Sequence, residues 1–193
     1  MKKGEKRKHE LLKIAYEMVL RRGYENTSVD EIIAKAQIAK GTFYYYFRSK
    51  DDLLSTLSEI LDREYQRLEG EEPEGMSCFD RLIWLNYEVH SFMERTMDYR
   101  LLSYLYSAQI VKESFSALLN RNRYYYRYVE RLMEEGRNNG ELTDRMAVSE
   151  MVRYFSMCER ALVTEWCMNN GSFSLGEFSK QCFPIMMQGL KKD

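Results

Sequence analysis

The chain has 193 residues, 45% of them hydrophobic and 31% charged, enough to bury a sizeable core in one or two domains, and its two prolines and ten glycines argue against a many-stranded β protein. Cys78, Cys158, Cys167 and Cys182 stand singly and the only histidines are His9 and His90, a pattern that argues against a zinc site or a disulfide framework and asks for no cofactor. The net charge of -1 hides an asymmetry: residues 1–50 hold 12 Lys/Arg against 6 Asp/Glu, so a basic first quarter suited to a polyanion is followed by an acidic remainder.

Residues 1–8 carry Lys2, Lys3, Lys6, Arg7 and Lys8, which read either as a solubilising tail or as an arm resting on phosphates. They lack an apolar core segment, and no apolar run reaches about 18 residues, so neither a signal peptide nor a membrane span is expected and the cytosol is the default compartment. Leu11, Ile14, Ala15, Met18 and Val19 then form a helical stripe that Gly23 stops. In the link that follows, Thr27 lies beside the next helix's N-terminus, where a hydroxyl and free N–H groups suit a phosphate.

Ser28 with Glu31 is a capping box, and Val29, Ile32, Ile33 and Ala36 recur at helical spacing. After the tight connection Gln37-Ile38-Ala39, a second short helix from Lys40 buries Phe43 and Phe47 one turn apart, and the pair reads as a helix-turn-helix. Burying the two phenylalanines turns Gly41, Thr42, Tyr44 and Tyr45 outward, with Lys40 and Tyr46 on the flanks. That face offers a hydroxyl, a methyl and flat aromatic rings, which suit the donors, acceptors and thymine methyl of the DNA major groove.

Ser49 with Asp52 caps a longer helix bearing Leu53, Leu54, Leu57, Ile60, Leu61, Tyr65 and Leu68; Lys50 in its first turn opposes the helix dipole, which a bound phosphate would explain. The break at residues 70–75 ends it. Ser77 with Asp80 opens the next helix, Asp98 a shorter one, Ser114 a long one through Leu118 and Leu119 to Met133, Thr143 another, and Ser174 with Glu177 the last, in which Pro184 is expected to kink the helix or mark a new start.

Residues 9–57, and above all KGTFYYYFRSKDDL, resemble the TetR/AcrR family of bacterial transcriptional regulators. Gln37 stands where the family usually has a turn glycine, and Ala39 where a serine commonly caps the recognition helix. The resemblance implies an all-α chain, with a three-helix helix-turn-helix domain over residues 1–50 and a helical effector-binding and dimerisation domain over 51–193, joined by a connecting helix at 51–69. It implies that Thr42, Tyr44 and Tyr45 touch base edges or sugar-phosphate, with Gly41 letting the helix approach. Lys40 would reach a base or phosphate, and Thr27, Ser28, Tyr46 and Lys50 would hold the DNA backbone.

Helices over 77–138 are rich in aromatic residues, which a core also contains; the resemblance implies an effector pocket there, and the polar tips of the tyrosines and of His90 favour one lined by Trp84, Tyr87, His90, Tyr104, Tyr125 and Met133 that takes a small, largely apolar or aromatic effector. The last two helices, 144–170 and 174–191, show apolar residues on more than one face, as a homodimer interface requires. An enzyme is disfavoured: His90 is the single histidine outside the arm, and no catalytic triad or metal motif accompanies it. The rival reading is an all-helical ligand carrier or interaction protein whose helix-turn-helix is only scaffold.

Overall fold

The computed structural model describes residues 3–111 and 117–192. Among these residues the fold is all-α: α1 (Lys3–Arg22), α2 (Val29–Ala36), α3 (Lys40–Tyr46), α4 (Lys50–Glu69), α5 (Cys78–Thr96), α6 (Tyr99–Val111), α7 (Tyr124–Asn138), α8 (Val148–Met168) and α9 (Leu175–Met187). An isolated antiparallel bridge joins Leu142 and Lys191.

The chain divides by contacts into two units, one formed by residues up to Ser58 with the segment Arg100–Leu118, the other by Glu59–Tyr99 with the residues from Leu119 on. In the first unit, the stripe read from the sequence becomes a core of Leu11, Ala15, Ile32, Phe43, Phe47 and Leu53. Each such large side chain contributes about 1.5–3 kcal/mol by leaving water. Tyr16 pins α1 to the start of α4 through its hydroxyl, which donates 2.7 Å to the Leu53 carbonyl. The α6 segment belongs here because Arg100 donates 3.2 Å to the Leu20 carbonyl and Tyr104 packs 5.6 Å from Tyr24. Grouped by contacts, the division falls inside α4 after Ser58, and α6 goes with the N-terminal helices.

The second unit packs α5, α7, α8 and α9 around Leu85, Val89, Met133 and the edge-on pair Phe155 and Phe183, whose ring centroids are 5.1 Å apart. Gly176 is required where α9 crosses α5, because a Cβ there would collide with Ser91. Pro184 lies inside α9, which runs on to Met187 without a new start.

Two helix starts differ from the sequence reading. Ser114 lies outside the described residues, while Leu118 and Leu119 sit in a turn, and α7 begins only after Arg123. The physical reason is Asn120, whose side chain accepts from Asn122 N at 3.0 Å while its carbonyl accepts from Arg123 N at 3.1 Å, a local alternative to the helix. Thr143 likewise does not open α8; its N–H donates 2.8 Å to Leu190 O beside the Leu142–Lys191 bridge, and the helix starts after Ala147, whose N–H donates to Glu150.

Candidate nucleic-acid interface and a buried polar centre

The turn between α2 and α3 is built as its residues dictate. Ser28 Oγ accepts from Glu31 N at 3.2 Å and Glu31 Oε2 accepts from Ser28 N at 2.8 Å, closing the capping box. Gln37 takes the left-handed conformation at φ 53°, ψ 49° and closes α2 by donating its N–H to the carbonyls of Ala34 and Ile33. That conformation costs a side chain about 1–2 kcal/mol that a glycine avoids. Ala39 caps α3 with no side-chain bond, though its carbonyl accepts from Thr42 N at 2.9 Å.

Phe43 and Phe47 are buried at 0% and 2% exposure, their centroids 5.5 Å apart, and this anchors the orientation of α3. On the other side Tyr45 is 81% exposed and Tyr44 47%, with Lys40 and Gly41 exposed and Thr42 and Tyr46 half-buried. A Cβ added at Gly41 would meet nothing within 4 Å, so the glycine lowers the surface of α3 rather than relieving a clash. Lys40 Nζ is paired with Asp30 at 3.1 Å in full solvent, which pushes its pKa up; an exposed pair of this kind exchanges readily for a phosphate. Tyr46 shares a groove with Gly4, Lys6, Arg7 and Glu10 at the start of α1.

Two residues expected to hold the DNA backbone are otherwise engaged. Thr27 is fully buried and its hydroxyl donates 2.9 Å to Gly23 O, so it holds the turn after α1 and presents nothing to solvent. Lys50 is half-buried, donates 2.8 Å to Tyr24 O and lies 4.2 Å over the Tyr24 ring, which accounts for a cation in the first turn of α4 without a phosphate.

In the second unit His90, Tyr125 and Met133 are buried, while Trp84 and Tyr87 are partly exposed; Tyr87 faces α9, its hydroxyl 3.4 Å from Glu177. Tyr104 belongs to the first unit, against Tyr24. Sequence reasoning passed over Glu159, around which this unit's polar groups gather. Its Oε1 accepts from Tyr65 at 3.2 Å and from Asn86 Nδ2 at 3.4 Å, and its Oε2 accepts from Tyr125. Burial raises the Glu159 carboxyl to about 7, against the three hydrogen bonds that lower it. Asn86 Nδ2 also lies 3.4 Å from His90 Nε2, and His90 Nδ1 pairs with Ser179 Oγ at 2.5 Å. Burial alone depresses His90 to about 3, so the ring is neutral. A carboxylate inside the stripe Phe155, Leu162, Val163 and Trp166 was the available signal.

Outward faces of α8 and α9 carry uncovered apolar side chains: Met157 at 51%, Met168 at 68% and Ile185 at 77% exposure, with Phe178 and Cys182 half-buried beside them. No helix among the described residues is long and apolar enough to cross a membrane.

Residues 11–57 match the model of bacterial regulatory proteins of the tetR family. The uncharacterized HTH-type transcriptional regulator YvdT of Bacillus subtilis (strain 168) is 31% identical over 139 residues, 69% of each chain. The fatty acid metabolism regulator protein of the same organism is 22% identical over 191 residues, 98% of each chain. Among solved structures, the transcriptional regulator FadR from Bacillus subtilis in complex with stearoyl-CoA matches the fold with a TM-score of 0.75 at 21% identity, over 94% of this chain and 98% of that one.

Proposed function

Because the chain belongs to the tetR family of bacterial regulatory proteins and is a transcriptional regulator, we propose that it acts as a homodimeric repressor controlled by a small, largely apolar or aromatic effector. Each protomer lays α3 in the major groove of a palindromic operator, the two half-sites roughly 34–36 Å apart. The observation that carries this reading is the exposure of Tyr44 and Tyr45 on a helix whose Phe43 and Phe47 are fully seated in the core. Thr42, Tyr44 and Tyr45 read base edges, Lys40 exchanges Asp30 for a base or phosphate, and Gly41 admits the groove. Ser28 and Tyr46 hold the DNA backbone, with the basic start of α1 beside Tyr46. Lys50 reaches a phosphate only by giving up the Tyr24 carbonyl.

The dimer forms through α8 and α9, where Met157, Met168 and Ile185 of one protomer are covered by the same helices of its partner. The effector lies in the second unit near Trp84, Tyr87, His90, Tyr125 and Met133. FadR was solved with stearoyl-CoA, whose long acyl chain is of this apolar class. Since α4 starts directly after α3 and ends in the second unit, a change in its seating there alters what α3 can reach. A hundredfold preference of the effector for one seating supplies about 2.7 kcal/mol of coupling.

Hydroxyl-radical footprinting of the purified protein on a fragment selected from genomic DNA tests the reading. Two protected half-sites about one helical turn apart, with a symmetric pair of protomers bound, are expected. A monomer that protects no defined stretch overturns it and favours the carrier.

A further inference from the structure

The hydrogen bonds of Glu159 draw together α4, α5, α7 and α8, and the chain continues from Asn86 through His90 to Ser179 on α9. Every partner is neutral. Glu159 keeps 6% exposure yet forms no ion pair among the described residues; the neighbouring Arg160 favours its charge without pairing with it, and Arg123, 5.6 Å over the Tyr125 ring, is committed to Asp62 at 2.7 Å. A carboxylate withdrawn from water without a counter-charge is costly, and helical packing alone gives no reason for it.

A second, independent observation lies beside it. Asn86 is 0% exposed, and its Oδ1 is buried with no hydrogen-bond partner while its Nδ2 faces Glu159. An orphaned acceptor and an unpaired carboxylate make the same demand, and one group that both donates hydrogen bonds and carries positive charge meets it. Aromatic rings cluster here, Tyr65 and Tyr125 reaching Glu159 through their hydroxyls: their centroids are 4.9 Å apart, and those of Tyr125 and Tyr126 4.8 Å.

We propose that Glu159 and Asn86 form the recognition point for a positively charged, hydrogen-bond-donating head group, an alkyl or aryl ammonium or amidinium, on the effector of this protein. The inference rests on the reading of the second unit as the effector domain and narrows the effector's chemistry. In the free protein the point is closed, so the incoming donor takes the place of the Tyr65 hydroxyl at Glu159 Oε1. Tyr65 is on α4, where Asp62 pairs with Arg123 and Glu69 with Arg131. Seating the head group therefore removes one of the ties that hold the later part of α4 to α8 within the second unit, the tie made by a neutral hydroxyl.

Three probes with one chain length and different heads, octylammonium, octanol and octanoate, separate charge from apolar contact. At about pH 8, where the carboxylate is ionised, calorimetric titration of the full chain should give octylammonium a dissociation constant about tenfold or more below that of octanol, with octanoate weakest. Glu159→Gln, which keeps the volume and one acceptor, should remain folded by circular dichroism and lose the preference for the ammonium over the alcohol. Tyr65→Phe, which keeps the ring but frees Oε1, should bind octylammonium severalfold more tightly than the parent. The proposal is overturned if octylammonium fails to bind, if octanol or octanoate binds as tightly, or if Glu159→Gln keeps the preference. Footprinting of the unsubstituted protein, run alongside, separates the outcomes: intact half-site protection with no ammonium preference removes this inference alone, whereas absent protection removes the regulator reading.

Discussion

The outward face of α3 in the first unit and the polar centre of the second place tyrosine hydroxyls in opposite ways. In the first, Phe43 and Phe47 fill the core and the neighbouring Tyr44 and Tyr45 are left in solvent. In the second, Tyr65 and Tyr125 are turned inward to within hydrogen-bond reach of a buried Glu159. An outward phenol has water to satisfy it and is free to be exchanged for a base or phosphate. An inward one needs a partner built from distant parts of the chain, and the partner chosen here is a carboxylate without a counter-charge. One unit therefore presents a surface at little cost to its own stability, and the other holds its polar centre at a cost that substitution can expose.

Phe43→Ala should have the largest effect. Removing a fully buried ring from the small first core costs about 3–5 kcal/mol, measured by urea unfolding, and DNA binding should be lost while the dimer, held by α8 and α9, persists in sedimentation. Loss of the dimer at the same time would blur the contrast between the units.

Glu159→Gln tests the other side. The Glu159 carboxyl sits at about 7 in the folded chain against an ordinary 4.5. The folded state thus holds the proton more tightly, so this group's contribution is most favourable below 4.5 and is lost as the pH rises to about 7. The His90 shift, to about 3 from 6.5, runs the other way, costing stability as the pH falls, but it is common to both proteins. Between pH 4.5 and 7 the stability of Glu159→Gln relative to the parent should rise by an amount on the order of 3 kcal/mol. A stability gap between the two that is constant with pH would show that the carboxyl is not held out of water.

Gln37→Gly should stabilise the first unit by about 1 kcal/mol, since the left-handed residue of the turn would no longer carry a Cβ. A melting temperature that falls would place the backbone strain elsewhere. The smallest effect is expected of Lys40→Ala, which should weaken binding to all duplex DNA and reduce the slope of log affinity against log salt by about one. An unchanged slope would mean that the lysine stays with Asp30 when DNA is bound.

How far the sequence reveals each unit follows from the distance over which its contacts act. The helix-turn-helix rests on pairs three or four residues apart, such as Ser28 with Glu31 and Phe43 with Phe47, so periodicity and capping were enough to orient α3. The engagement of Lys50 with the Tyr24 carbonyl spans 26 residues, and the packing of α6 on α1 spans 80, and neither leaves a local pattern. The polar centre joins Tyr65 to Glu159 across 94 residues and His90 to Ser179 across 89. Tyr125 and His90 could be picked out by their polar tips, but not the carboxylate they surround. The early start expected for α7 failed for a different reason: apolar periodicity continued through Leu118 and Leu119, while Asn120 closed a turn that no count of apolar residues detects.

Fluorescence anisotropy of Tyr44→Ala on the footprinted operator and on a shuffled duplex of equal length, at one fixed salt concentration, bears most directly on the claim that the tyrosine face of α3 reads DNA. The parent should prefer the operator by about a thousandfold or more. The variant should lose most of that preference while holding the shuffled duplex nearly as well as the parent. Equal losses on both duplexes would contradict the account, because Tyr44 would then be supporting the fold or the phosphate contacts and not the sequence.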